Sequence, residues 1–172
     1  MRLGVDERGV TELMGVTEHT RAMTTTAAAL LLESLDGGRP LIAPIDGGDA
    51  GEARELLDEI AAWSRTALGQ DTVPALWRIL ARNRHYLEAT WRKETAVMAD
   101  AALNARDKRR VALGVAMAVR GRYMIEYSAA ILRHAGDEDR DILEILGVVD
   151  HYTTLNTLSE GMQIESDIRP PA

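Results

Sequence analysis

Apolar residues recur at spacings of three and four along most of the chain, which is the pattern of amphipathic helices. Alternating strand-like runs do not stand out, so the pattern predicts an all-α bundle. The longest helix, or a helix pair, is expected after Asp137. Helices are predicted over residues 17–35, 50–68, 104–119, 123–135 and 137–164, with two short helices or one bent helix over 72–98.

Residues with known preferences for helix ends set several of these limits. Asp49 precedes Glu52 by three residues, as in a capping box, and predicts a helix start near residue 50. Asn104 and Asp107 mark another start, while Gly136 suits a left-handed C-terminal cap. Pro74 is expected in the first turn of its helix.

The chain is short enough for one compact unit of 172 residues. Residues 1–40 are predicted to be an N-terminal helical extension and 41–172 a helical domain. Glycine and proline are concentrated over 36–48, which predicts an ordered linker, and the final IRPPA is expected to fray.

Composition narrows the setting and the partners. Although 46% of residues are hydrophobic, no long uncharged stretch suits a membrane span, and the start MRLGVDERGV lacks the apolar core of a secretory signal. A soluble, cytoplasmic protein without membrane contact is therefore expected. The net charge of −7 opposes nucleic-acid binding.

The chain contains no cysteine. This excludes disulfides, thiolate metal sites and cysteine nucleophiles together. No thiol-dependent peroxidase activity is expected.

The order of three segments resembles the carboxymuconolactone decarboxylase family, which includes the alkylhydroperoxidase AhpD. The segments are EARELLDEI, VPALWRILARNRHYLEATW and, after a basic turn and an apolar helix, RYMIEYSAAILRHAG. The resemblance covers roughly residues 50 to 165 and implies an AhpD-like helical bundle. It also implies a homo-oligomer, expected to be a trimer or a multiple of one.

Peroxidase members of this family share a glutamate, two cysteines in a Cys-x-x-Cys pair and a following histidine. The resemblance places these four groups at Arg109, Gly121, Met124 and Ser128, so all four are changed. Decarboxylase members lack the cysteines but have a histidine where Ser128 stands. The scaffold is therefore expected without the peroxidase chemistry, and lactone decarboxylation would rest on fold alone.

The changed positions still suggest a binding surface. Gly121, Met124 and Ser128 share one helical face, which Tyr127 borders. Arg109, with Arg120 or Arg122 near the next turn, has a guanidinium geometry suited to a carboxylate or another anion. The alternatives are that the first group simply fills the old pocket, and that Arg109 belongs to a solvated basic turn.

Histidine chemistry has one further candidate. The four histidines show no metal-binding spacing, so neither a metal nor another cofactor is expected. His151 on the last helix is the best candidate acid or base.

Two functional hypotheses follow from the sequence. One is a cofactor-free lyase or isomerase that acts on a small anionic substrate, with Arg109, Tyr127, Ser128 and His151 as catalytic residues. In it, Arg120, Gly121 and Met124 bind the substrate. The other is a catalytically silent ligand-binding or oligomeric scaffold protein. The state of the pocket distinguishes them, since an enzyme needs a reachable cavity with convergent polar groups.

Overall fold

A computed structural model describes residues 6–32, 39–46 and 49–166. Over these ranges the chain forms seven α-helices and no strand, so the predicted all-α fold is confirmed. A single 3-10 turn, Gly51–Ala53, precedes the second helix. The helices are α1 (Glu7–Ala29), α2 (Arg54–Leu68), α3 (Ala75–Leu80), α4 (Arg84–Met98), α5 (Ala105–Ala118), α6 (Arg122–His134) and α7 (Asp139–Gly161).

Helix α5 lies at the centre of the bundle. It packs against α1, α6 and α7, and more weakly against α4. Ala112, Leu113 and Ala116 along α5 are fully buried, and the small alanines let the neighbouring helices approach closely. The main apolar core lies between α2, α3, α4 and α6, and Trp77 and Trp91 are its largest buried side chains.

Several predicted helix ends are present. The side chain of Asn104 accepts a hydrogen bond of 2.8 Å from the Asp107 N–H and so caps α5. Gly136, after α6, has a φ of +91°, which glycine adopts without a steric penalty. The predicted last helix starts at Asp139, and Asp141 stabilises that end by accepting from the Glu138 N–H at 2.7 Å.

Two helix starts differ from the prediction. Helix α1 begins at Glu7 instead of residue 17, because Asp6 caps it by accepting from the Gly9 N–H at 2.8 Å. Helix α2 begins at Arg54 instead of near residue 50. The 3-10 turn occupies the intervening residues, and no side chain caps α2, so the predicted capping box is wrong.

The stretch over 72–98 forms two separate helices. Asn83 separates them and caps α4 by accepting from the Tyr86 N–H at 3.1 Å. Pro74 precedes α3 as its N-cap residue, in extended conformation, instead of lying in the first turn. The part of the predicted linker over 39–46 is not helical; residues 36–38 and 47–48 and the IRPPA segment lie outside the described residues.

Helix α7 has two distinct halves. Ile142 and Ile145 in its first half pack against a small cluster around Leu113 and Leu132. From residue 150 to residue 166, every side chain is exposed. Helices α1 and α7 each have 23 residues, so α7 shares the greatest length instead of holding it alone. No described helix is long and apolar enough to cross a bilayer.

Candidate functional site

A carboxylate lies on the buried face of α4. Glu94 follows Trp91 by three residues and Leu87 by seven, so all three side chains point into the bundle. Only 2% of Glu94 is exposed to solvent. A buried charge of this kind needs charged or hydrogen-bonding partners, because its removal from water is costly.

Two neighbouring helices supply those partners. His19 of α1 places its Nε2 atom 2.6 Å from Oε2 of Glu94. Arg109 of α5 donates from Nη2 to Oε1 of the same carboxylate, also at 2.6 Å. Both partners are buried. Glu94 therefore links three helices through its two oxygen atoms.

The polar groups continue into α6 and α3. The guanidinium carbon of Arg109 lies 5.5 Å from the ring centre of Tyr127, which is within cation–π range. The Tyr127 hydroxyl accepts a hydrogen bond of 3.3 Å from Nε1 of Trp77. We call His19, Glu94, Arg109, Tyr127 and Trp77 the buried polar chain.

The environment fixes the charges in this chain. Burial alone raises the pKa of Glu94, but the charge of Arg109 and the contact with His19 outweigh it and lower the pKa to about 2. Glu94 in turn raises the pKa of Arg109 despite burial. Burial raises the pKa of Tyr127 well above its ordinary value. At neutral pH, Glu94 and Arg109 are an ion pair and Tyr127 is protonated.

The candidate residues Arg109 and Tyr127 lie together, as the cation–π contact shows. Ser128 and Met124 are buried on α6. The Ser128 hydroxyl has no hydrogen-bond partner among the described residues. Packing thus surrounds three of these four side chains, while Arg109 also borders a cavity described below.

Gly121 and Arg120 lie at the start of α6, facing α1. Gly121 is the N-cap residue, and a β-carbon there would lie 2.2 Å from Cγ2 of Thr24. Arg120 is exposed and has a φ of +59°. These two positions therefore belong to the α1–α6 contact, not to the buried polar chain.

His151 lies in the exposed half of α7. Its ring contacts that of Tyr152, with 5.4 Å between the ring centres. Within the described part of the chain, no hydrogen bond, ion pair or ring contact joins His151 to Arg109 or Tyr127. The structure therefore does not bring this candidate to the other site residues.

The basic turn around Arg109 is not simply solvated. The alternative prediction that Arg109 belongs to a solvated turn is therefore wrong. Lys108 is buried and donates to the Ala99 carbonyl at 2.6 Å, with Glu12 at 3.1 Å. Arg109 is buried against Glu94. The other two cations, Arg106 and Arg110, both bind the buried carboxylate of Asp137.

A cavity of about 330 Å³ opens beside Arg109, between α2, α5 and α6. The Arg109 Nη1 atom is buried and has no hydrogen-bond partner in the described residues. We call this space the Arg109 cavity; Tyr127 is not in its wall. Its lining is mainly apolar and includes Trp63, Ala67, Met98, Ile131 and Leu132, with Arg106 as a second cation.

Comparison with known proteins follows the same helices. The sequence profile of the carboxymuconolactone decarboxylase family matches residues 84–164. This matched region covers α4 to α7 and therefore includes Glu94, Arg109 and Tyr127. The family resemblance inferred from the sequence is confirmed over this region, and the chain lacks the Cys-x-x-Cys motif because it contains no cysteine.

The fold has a counterpart among solved structures. The AhpD core of Rhodospirillum rubrum alkylhydroperoxidase superposes with a TM-score of 0.66 at 24% sequence identity. The match covers 76% of this chain and 96% of that one. No curated protein matches the sequence. The superposition establishes an AhpD-like fold.

Three residues of the buried polar chain, His19, Glu94 and Trp77, were not proposed as site residues from the sequence. Glu94 carried a usable signal, because it is a charged residue on the same face of a predicted helix as Leu87 and Trp91. His19 lies between Val16 and Met23 on the inner face of α1, outside the matched region. No group of three or more His, Asp or Glu side chains within the described ranges is arranged to hold a metal.

Proposed function

We propose that this protein binds a small carboxylate with an apolar body in the Arg109 cavity and does so without thiol chemistry. The unpartnered Nη1 atom of buried Arg109 is the observation that carries the proposal. A guanidinium has five N–H donors in a planar fork, and the contact with Glu94 uses the Nη2 end. The Nη1 end is therefore available to a second acceptor.

The cavity has the character of a small-molecule site. Its volume of about 330 Å³ is in the range of ligand pockets. Trp63, Met98 and Ile131 offer apolar contact, which favours a ligand with a hydrophobic part. Arg109 supplies the polar group that orients such a ligand.

Binding is favoured over catalysis by the protonation states of the buried polar chain. A general acid or base works best with a pKa near the working pH. The pKa of Glu94 is about 2, and that of Tyr127 is well above its ordinary value of 10. Neither group is ready to exchange a proton at neutral pH.

The proposal is tested by a thermal-shift screen with small carboxylic acids and lactones, followed by titration calorimetry of any stabilising compound. A ligand that binds the folded state raises its melting temperature by mass action. In Ala67→Leu, the larger side chain fills part of the cavity, and we expect affinity to fall about tenfold or more, equivalent to about 1.4 kcal/mol. Equal affinity in this variant would contradict the proposed site.

Ala61→Leu is the matched control. Ala61 lies on the same helix, α2, but lines a different cavity with Leu57 and Val73. The same substitution there is expected to leave the affinity unchanged. A loss in both variants indicates a general disturbance of α2 and not occupation of the Arg109 cavity.

The second candidate is a non-redox enzyme acting on a small anion. The 2.6 Å contact between His19 and Glu94 favours it, because a carboxylate can orient an imidazole for proton transfer. The test is to incubate any compound found in the screen with the protein and follow it by NMR. Decarboxylation, isomerisation or cyclisation that is lost in His19→Asn supports the enzyme; an unchanged compound supports binding alone.

We also propose that the chain forms a homo-oligomer through the exposed half of α7. Five apolar side chains, one just before this half and four within it, recur at spacings of three and four residues, and no Asp, Glu, Lys or Arg lies among them on that face. A second copy can cover this face without burying a charge, as a self-complementary interface requires. We call these residues the α7 stripe: Val148, Tyr152, Leu155, Leu158 and Met162, all exposed.

A further inference from the structure

A second cavity lies at the other end of α6, away from Arg109. It has a volume of about 430 Å³ and lies between α1 and the beginning of α6. Its lining includes Arg21, Thr24, Ala28, Arg120 and Gly121. None of these residues lines the Arg109 cavity or belongs to the buried polar chain.

The start of α6 attracts negative charge. The first N–H groups of any α-helix lack partners within the helix, and the helix dipole adds partial positive charge there. Gly121 is the N-cap residue of this 13-residue helix and has no side chain with which to accept from those groups. The Thr24 side chain lies against Gly121, and an oxyanion in the cavity beside it can accept from those N–H groups.

Thr24 supplies an independent sign of a missing ligand. Only 8% of this residue is exposed, and its hydroxyl has no hydrogen-bond partner in the part of the chain that the structure describes. The Oγ1 atom lies 2.9 Å from the position that a β-carbon on Gly121 would occupy, so it points at the start of α6. A buried hydroxyl without a partner is costly, and an oxyanion would satisfy it.

Two arginines complete the cavity. Arg21 and Arg120 are exposed, and neither forms an ion pair with any residue in the described ranges. The acid nearest in sequence to Arg21, Glu18, pairs instead with Lys93. In a chain with a net charge of −7, two unpaired guanidinium groups beside a helix start are a local positive centre.

We propose that this cavity binds the oxyanion group, carboxylate or phosphate, of a small organic molecule. The N–H groups at the start of α6 and the Thr24 hydroxyl donate to the oxyanion, and Arg21 and Arg120 neutralise its charge. Ala28, Ala29 and Val119 in the wall provide apolar contact for the rest of the molecule. We call this the α6 anion site; it is separate from the proposed function of the Arg109 cavity.

The test is titration of the full chain with inorganic phosphate, phenyl phosphate, acetate and benzoate, observed by calorimetry and by backbone amide NMR. We expect saturable binding that shifts the amide signals of residues 122–124. Tighter binding of phenyl phosphate or benzoate than of phosphate or acetate supports an organic ligand, and the phosphate–carboxylate comparison identifies the oxyanion. Absence of saturable binding by all four probes, or shifts only elsewhere, overturns the proposal.

Three variants sharpen this test. Arg120→Gln and Thr24→Val each remove a proposed contact while retaining similar shape, and we expect affinity to fall about tenfold in each. Arg122→Gln is the control, because Arg122 is also at the start of α6 but pairs with Glu126 at 2.9 Å. Equal losses in Arg120→Gln and Arg122→Gln would show only a general effect of charge and overturn the site.

Variants of the two cavities separate the two proposals. Ala67→Leu is expected to leave binding at the α6 anion site intact, and Arg120→Gln to leave binding in the Arg109 cavity intact. If only Ala67→Leu lowers the affinity for every ligand, the α6 anion site fails and the proposed function stands. If only Arg120→Gln lowers the affinity for every ligand, the proposed function fails and the α6 anion site stands.

Discussion

A β-carbon on Gly121 would lie 2.2 Å from Cγ2 of Thr24, so the side chain of Thr24 occupies the space next to the start of α6. The family resemblance places the first cysteine of the peroxidase pattern at Gly121. Helix α1 therefore fills the room that a cysteine side chain at this position would need.

This contact predicts a coupling between the two positions. Gly121→Ala forces the new methyl group against Thr24 and is expected to destabilise the protein by about 1–3 kcal/mol. In a Thr24→Ala background the closest atoms are gone, and the same substitution is expected to cost much less. Chemical denaturation of the two single variants and the double variant measures the coupling. Additive free energies of unfolding would show that the contact relaxes without cost.

The buried ion pair predicts that Arg109 is needed for stability, in addition to its proposed role in ligand binding. Arg109→Ala leaves the charge of Glu94 buried without its main partner, which costs about 3–5 kcal/mol. Replacement of both residues, Glu94→Leu with Arg109→Met, removes both charges and is expected to recover most of that loss. Thermal and urea unfolding measure both effects.

An exposed ion pair provides the control for Arg109. Arg122→Ala breaks the contact with Glu126 on the surface of α6 and is expected to cost less than about 1 kcal/mol. A similar small loss for Arg109→Ala would mean that water reaches Glu94 readily. The sequence indicated Arg109 only as a candidate site residue or as part of a solvated basic turn; its contact with Glu94 gives it a role in the fold.

The lowered pKa of Glu94 predicts a loss of stability in acid. The folded pKa is about 2 and the reference value is 4.5, so the unfolded chain takes up the proton first as the pH falls. The stabilisation is complete above pH 4.5 and is lost between about pH 4.5 and 2. Its size is on the order of 3 kcal/mol, since one pKa unit corresponds to about 1.4 kcal/mol.

Glu94→Gln tests this pH dependence. The variant lacks the ionised carboxylate at every pH, so its difference in unfolding free energy from the wild type is expected to be large at pH 7 and to shrink towards pH 2. Glu126→Gln is the control, because that carboxylate belongs to an exposed pair. A difference that is independent of pH would argue against the ionised Glu94 as its source.

The α7 stripe predicts a charge-sensitive assembly. We expect light scattering to give an oligomer for the wild type at micromolar concentration. Leu155→Glu places a charge in the middle of the exposed apolar face and is expected to give a monomer with similar helix content in α1 to α6. Thr157→Glu, on the opposite side of α7, is expected to leave the oligomer intact. A monomeric wild type would contradict the assembly.

The fold could be predicted largely from local patterns. The α5 start at Asn104 depends on a contact with Asp107, three residues away. Residues close in sequence are therefore enough to predict it. The α2 start was wrong because capping residues were present without the geometry for a cap. Gly51–Ala53 forms a 3-10 turn. The spacing of apolar residues does not distinguish such a turn from a turn of α-helix.

The candidate site was less predictable because its contacts join distant parts of the chain. Arg109 stood out as a cation where the family pattern has an acid, but its partner Glu94 lies on another helix. His19 reaches Glu94 across a separation of 75 residues, from a helix outside the family match. Periodicity indicates which side chains face inward; it does not say which of them meet.

A homo-oligomer through the exposed half of α7 would link the folding of that half to protein concentration. Residues 150–161 extend about 18 Å beyond the packed half, and a free helical segment of this length is only marginally stable in water. If a second copy supplies its cover, dilution removes that cover and the last turns unwind. The helical circular dichroism signal per residue would then fall as the sample is diluted. The helix content of α7 in one copy would thus depend on contact with a second copy.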